Sequence, residues 1–277
     1  MDPRYKILPA MLATKFRPDN VLYPLYAQPK LNGIRAICDR QNRTFQTRRE
    51  EFWFDPMVEH IFKHLDALQL PLDPSIPLDG EFYVHGWSLQ RIAAAMTVVR
   101  QVPIEDTFQV QYWIYDTITT APFQDRLRGL DNETSHVRVT PTTFVKRARD
   151  LNALHANHIT DGFEGTMVRS MTAPYIEGRT NALQKIKKRH DYEVQVIGCV
   201  EGLGKFKGML GAFIVEDPVK GVQFRVGGGS GFTNETRQQY WDNKPIGKWI
   251  TIAGEAGCSD GGKPLQAQFI AMRDYEG

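Results

Sequence analysis

The stretch PKLNGIR, Pro29 to Arg35, places Lys30 just before a glycine turn and Arg35 just after it, so both side chains could converge on one ligand at a strand junction. Around it the pattern predicts strands and tight turns from Leu25 to Arg48, with Ile34, Ala36 and Cys38 alternating and QNR turning into TFQTR. Taken alone, the spacing is better explained by a solvated lysine beside a hairpin. The decision rests on what accompanies it.

Outward from this stretch, a helix is expected with Asp55 as cap, Pro56 in its first turn and Met57, Ile61, Phe62, Leu65 and Leu68 on one apolar face. PLDGEFYV then reads as a short strand with Glu81 at its start. Ser88 caps a second helix with Leu89, Ile92, Ala93 and Met96 inward, and FQVQYWIYD alternates as a half-buried strand ending in an acid. Further helices fit 122–130 and 145–156. Strands and helices mixed this irregularly predict an α+β domain. After His190 the segments YEVQVIG, AFIVED, VQFRVG, KWITIAG and QAQFIAMRD read as short strands separated by glycine turns, with one helix near Thr233 to Trp241. That is the content of a small barrel such as an OB-fold, and VGGGSG reads as a strand turn within it. The expected division is 1–189 and 190–277.

Bulk properties narrow the partners. The 277 residues carry 34 Lys and Arg against 32 Asp and Glu, a net charge of +2, so any polyanion site must be local. Cys38, Cys199 and Cys258 make no CxxC pair, which argues against a zinc ribbon or disulfide framework and for a reducing compartment. The N-terminus has no export-signal pattern, and no segment reaches the roughly 20 apolar residues of a membrane helix, so a cytoplasmic location is expected.

Further candidates recur along the chain. EGTMVR sets Glu164 at a strand start, LQKIKK alternates Lys185 and Lys187 on one face, and Arg179 to Arg189 holds five basic residues and no acid. Each has a bland reading as a turn acid or solvated face. Tyr115 in IYD fits core packing as well as stacking on a base.

Taken in order, Lys-xx-Gly-x-Arg, Asp-Gly-Glu, the aromatic-Asp strand end, Glu-Gly-xxx-Arg and Lys-x-Lys resemble the collinear motifs of the covalent nucleotidyltransferases, and EGLGKFKGMLGAFIVED, FRVGGGSGFTNETRQQYW, PIGKWITI and KPLQAQFIAMRD resemble the OB-domain of small ATP-dependent DNA ligases in particular. The resemblance runs from about Ala27 to the C-terminus. It implies an α+β nucleotidyltransferase (adenylation) domain followed by an all-β OB-fold domain.

By the same resemblance Lys30 is the nucleophile that accepts AMP, Arg35 positions the ligand, and Glu81 contacts ribose or a metal. Tyr115 stacks on adenine, Glu164 binds the catalytic metal, and Lys185 and Lys187 hold phosphates. Arg48 and Arg179 face phosphate, Arg48 that of the nick, and Lys205 and Lys207 contact the DNA backbone. Arg273 and Asp274 form a last motif that orients pyrophosphate, although Gln266 and Gln268 stand where the family is more basic. The family's KxDG acid is Asn32 here, which keeps an acceptor oxygen and loses the charge.

The activity implied is sealing of nicks in duplex DNA with ATP and Mg²⁺ or Mn²⁺, in replication, repair or recombination, by a monomer with no membrane and no obligate protein partner. Phage, viral or bacterial ligases have this compactness. Lysine with a pKa near 10.4 is a poor nucleophile at neutral pH, so nearby cations and burial are expected to assist it. An RNA ligase, a GTP-using capping guanylyltransferase, and a decayed OB-type nucleic-acid binder are the alternatives.

Overall fold

The computed structural model describes residues 7–273 apart from 55, 71, 131, 188 and 259–262. Backbone contacts divide the chain into two compact units, Met1–Ile186 and Lys187–Gly277.

In the first unit the strands are β1 Met11–Lys15, β2 Leu25–Lys30, β3 Ile34–Asp39, β4 Thr44–Gln46, β5 Phe52–Trp53, β6 Leu78–Tyr83, β7 Gln111–Thr117, β8 Val137–Val139, β9 Thr143–Val145, β10 Gly165–Ser170 and β11 Gly178–Lys187. The helices are α1 Glu59–Leu68, α2 Leu89–Ala95, α3 Phe123–Arg126 and α4 Ala148–Thr160. One sheet runs β1-β11-β10-β2-β9 and the other β5-β4-β3-β6-β7-β8. β2 and β3 are consecutive in sequence but lie in different sheets, so the turn between Lys30 and Ile34 is the crossing from one sheet to the other. Most pairs are antiparallel, while β1 with β11 and β7 with β8 are parallel. The irregular mixture is the α+β content read from the sequence.

Helix boundaries differ from the sequence reading. α1 begins at Glu59 after Val58, without a side-chain cap, and Asp55 lies outside the described residues. The apolar face is as expected, with Ile61, Phe62, Leu65 and Leu68 buried against Phe45, Phe82 and Tyr112. The expected 122–130 helix is only Phe123–Arg126; Arg126 Nη1 donates to the carbonyls of Ala121 and Ala173, and Gly129 turns to φ 82°. The expected 145–156 helix starts later because Val145 pairs with Leu25 in the sheet. Ser88 Oγ does cap α2, accepting from Arg91 N at 3.2 Å. Ile92, Ala95 and Met96 are buried, whereas Leu89 and Ala93 are exposed and face a cavity described below.

The second unit holds β12 Arg189–Glu201, β13 Leu210–Asp217, β14 Val222–Val226, β15 Trp249–Cys258, β16 Pro264–Met272 and helix α5 Asn234–Asp242. Its sheet order is β14-β13-β12-β15-β16, and a parallel bridge between Gly228 and Gln268 brings the two edges together into a barrel-like curl. Val194, Val196, Phe213, Ile250 and Phe269 fill it. VGGGSG is not a turn between strands but the connection from β14 to α5. Glycine is needed there: Gly229 sits at φ 138°, where a Cβ would lie 2.0 Å from the carbonyl oxygen of Phe269. Among the described residues no helix is long and apolar enough to cross a membrane.

Candidate active site

Strand register sets the centre of the site. β2 runs antiparallel to β10 with Lys30 opposite Gly165, and Glu164 N donates to Lys30 O at 3.0 Å. The end of one strand thus lies beside the start of the other, and Lys30 Nζ donates to Glu164 Oε2 and, at 3.2 Å, to Leu31 O. The lysine side chain keeps 20% of its surface exposed, enough for a ligand to reach.

The crossing turn brings in the second carboxylate. Glu81 sits in the middle of β6, not at its start, opposite Arg35 of β3, and its Oε1 accepts from Gly33 N at 2.6 Å. Burial, reinforced by the like charge of Glu164, raises its pKa to about 7, although Lys30, the Gly33 N–H and Arg35 act in the opposite direction. Gly33 is required by close approach, since a Cβ there would stand 2.2 Å from Phe82 O. Gly33→Ala is therefore expected to push the turn off β6, costing about 1–3 kcal/mol of stability and at least tenfold in reaction at Lys30. Chemical denaturation and covalent nucleotide labelling measure the two, and unchanged values in both would refute this account of the turn.

Arg35 is held more firmly than its motif suggests. Nε and Nη2 donate to the Asp79 carboxylate at 3.0 and 2.5 Å, Nη1 to Met11 O at 2.6 Å, and Nη2 to Tyr175 Oη at 3.0 Å. Tyr175 Oη in turn donates to Asp79 Oδ2 at 2.7 Å and accepts from Met11 N at 3.0 Å. Asp79 is the first residue of the Asp-Gly-Glu motif and could have been flagged, but Tyr175 carries no local signal.

A buried ionic layer lies beneath. Asp116 accepts from Arg126 Nε at 2.7 Å and from Arg169 Nη1 at 2.6 Å, Arg169 Nε donates to Gln28 Oε1 at 2.6 Å, and Gln28 Nε2 donates to Tyr115 O at 3.0 Å. Arg169 also lies 5.5 Å from the Tyr115 ring centroid. Asp116 and Arg169 belong to quoted motifs, yet nothing in the sequence pairs them.

These groups surround a cavity of about 790 Å³ in the first unit. Lys30, Arg35, Glu81, Tyr115, Arg179 and Lys185 line it together with Arg48, Gln28 and Arg169, and Leu89, Ala93 and Met96 supply an apolar wall. Arg179 Nη1 donates to Ala13 O at 3.0 Å. The division after Ile186 falls one residue before the end of β11, so Lys187 counts with Lys205, Lys207 and Arg273 in the second unit. There Arg273 pairs with Glu193 at 3.1 Å and donates to Thr251 Oγ1 at 2.7 Å, while Asp274 lies outside the described residues. Asn32 is exposed on the turn. Among the described residues no three acid, imidazole or thiol side chains form a metal cluster.

An amine held by Glu164, the Glu81 carboxylate and a cationic wall at one cavity have the chemistry to bind a polyphosphate and to transfer part of it to nitrogen. Comparison with known proteins agrees with that chemistry. Residues 10–187 match the family described as ATP dependent DNA ligase domain, and residues 201–273 match that of the DNA ligase OB-like domain. The chain is 26% identical over 199 residues to the DNA ligase of African swine fever virus (isolate Tick/South Africa/Pretoriuskop Pr4/1996), a match that covers 63% of this chain and 44% of the viral protein. It is 24% identical over 205 residues to the DNA ligase of Haemophilus influenzae, covering 71% of each. Among solved structures, one from a study of Lig E DNA ligases as minimal DNA-binding scaffolds superposes with a TM-score of 0.73 at 26% identity, covering 97% of this chain and 100% of that one. Chlorella virus DNA ligase-adenylate shares the fold, with a TM-score of 0.53 at 24% identity over 98% of this chain and 100% of that one.

Proposed function

The chain belongs to the ATP-dependent DNA ligase family, and from that premise we propose that it seals nicks in duplex DNA through AMP carried on Lys30. The observation that carries the reading is the Lys30 amine in contact with Glu164 at a cavity that Glu81 and Lys185 also line.

In the first step Nζ attacks the α-phosphorus of ATP, an N–P bond forms and the bond to pyrophosphate breaks. Glu164, already accepting from Nζ, is the proton acceptor nearest at hand. Lys185 and Lys187 hold phosphate oxygens, Tyr115 stacks on adenine, and Arg35, fixed by Asp79, sets the cavity wall. In the second step a 5′-phosphate oxygen takes AMP from the lysine; in the third the 3′-hydroxyl displaces AMP and closes the strand. Arg48 and Arg179 receive the nick phosphate, and Lys205 and Lys207 the flanking backbone. Asn32 is assigned no step.

Two carboxylates without a third ligating side chain among the described residues suit Mg²⁺ or Mn²⁺, which keeps several waters and takes further oxygens from a nucleotide's phosphates. Glu81 and Glu164 would hold it, and when bound it offsets negative charge on phosphate oxygen. We take 1–189 as the adenylation domain and 190–277 as the OB domain, a division supported by the contact break after Ile186. The protein would work inside the cell as a monomer. The chain spans 44% of the length of its African swine fever virus relative, so the activity of that whole protein is carried over here only as a proposal.

The test is incubation with a nicked DNA duplex, ATP and Mg²⁺. A joined strand is expected with ATP, and none with GTP or after EDTA. Labelling by GTP in place of ATP would favour a capping enzyme, RNA-only joining an RNA ligase, and binding without joining a decayed enzyme.

A further inference from the structure

Arg237 of α5 is a buried cation whose hydrogen bonds go to backbone carbonyls. Only 7% exposed, it donates through Nη1 to Leu210 O at 2.7 Å and Gly211 O at 3.0 Å, and through Nη2 to Gly227 O at 2.8 Å. Its guanidinium carbon lies 4.5 Å from the Phe206 ring centroid and 4.3 Å from that of Phe232. Burial lowers the pKa of this guanidinium, so the placement has a cost that the stacking and hydrogen bonds must offset.

Its hydrogen bonds hold the start of β13 and Gly227, and its stacking reaches Phe206 in the loop between β12 and β13. That loop is folded on itself: Phe206 N donates to Leu203 O at 3.2 Å, Met209 N to Phe206 O at 3.0 Å, Gly202 N to Met209 O at 2.9 Å, and Gly208 N to Glu201 Oε1 at 2.9 Å. Gly204 and Gly208 adopt φ of 58° and 79°, and a Cβ on Gly202 would lie 2.4 Å from Phe206 Cβ. Phe206, the residue between Lys205 and Lys207, is thus clamped at its ring by Arg237, while both lysines are exposed and Lys205 Nζ lies 4.9 Å from the same ring.

We propose that Arg237 is a positioning residue for DNA docking: by holding Phe206 it presents Lys205 and Lys207 at a fixed spacing to phosphates of the duplex backbone. A loop ordered before contact loses less entropy when it binds, and charges on a rigid base keep their phosphates instead of wandering over solvent. The proposal rests on the ligase reading and on the role given there to the two lysines.

The experiment measures binding of fluorescent nicked duplex by anisotropy across a KCl series, alongside self-adenylation and nick sealing. Removing both lysines (K205A/K207A) should make the plot of log affinity against log salt shallower by about 1.8, at about 0.9 per lost phosphate contact. Arg237→Lys keeps the charge and loses the planar stack and fork, and Phe206→Leu keeps apolar volume and loses the ring. Each should weaken binding about tenfold at low salt and flatten the slope by about 1–2, with no further loss when added to K205A/K207A, while self-adenylation stays within about twofold. A flattened slope with the lysines removed but an unchanged one in R237K and F206L would overturn the inference alone. So would full additivity, or loss of self-adenylation in both variants. An unchanged slope in K205A/K207A would sink the role given to the loop together with it, and failure of the unaltered protein to join any nick would sink the ligase reading itself.

Discussion

Lys30→Ala is expected to bring covalent labelling by ATP radioactive at the α-phosphate to background, at least about 10³-fold below the unaltered protein. The stable adduct requires a nitrogen that can both attack phosphorus and remain bonded to it, and the motif lysine is the amine that strand register sets beside Glu164. Lys185 also lines the cavity, but it stands on β11 beside Lys15, separated from the Lys30 strand by β10, and not at the β2–β10 junction that holds Glu164. Alanine leaves the partly buried Glu164 without this donor, so some loss of stability is expected as well, about 1–3 kcal/mol. Lys30→Arg separates the two effects: it can keep an ion pair with Glu164, but a guanidinium stays protonated and does not attack phosphorus. Labelling should vanish in both variants, with stability recovered in the arginine one. Label that survives denaturation in either variant would remove Lys30 from its assigned role.

The second large effect is on folding. Asp116→Ala should destabilise the first unit by about 3–5 kcal/mol, because Asp116 is 0% exposed and is shared by two buried guanidinium groups, Arg126 and Arg169. Removing the acid leaves two charges desolvated with one fewer partner, which costs more than the pairing itself contributes. Asp125→Ala is the control. Its partner Arg128 is 79% exposed, so solvent screens that pair and the change should stay within about 0.5 kcal/mol. Denaturant titration of both variants reads the difference, and a loss below about 1 kcal/mol for Asp116→Ala would show that the buried layer is not an organiser of the site. Arg169 faces the cavity, so a slower reaction at Lys30 should accompany the loss of stability.

Much of this molecule was legible before any tertiary contact was known. Five strand segments after His190 fall where β12 to β16 lie, because half-buried strands alternate and glycines mark their ends. The apolar spacing of α1 was right while its start was not, since burial of Met57 and Val58 does not require a helical backbone. Likewise Val145 was read into a helix when pairing with β2 had taken it into a sheet. Leu89 and Ala93 were correctly placed on one face of α2, but that face borders a cavity where a core was expected.

By itself the amino-acid sequence determined which functional groups are available: an amine, two carboxylates, and a set of cations, in the order that carries the resemblance to the covalent nucleotidyltransferases. Such groups are readable because each sits in a short segment whose spacing is local. Only the tertiary structure decided what holds them in place. Lys30 meets Glu164 across 134 residues, Tyr175 meets Asp79 across 96, and Arg169 meets Gln28 across 141. Pairings this distant arise when separate strands pack, and they leave no periodicity in the chain, because apolar burial drives the packing and the cost of leaving a buried charge unpartnered selects the pairing, neither of which depends on a neighbour in sequence.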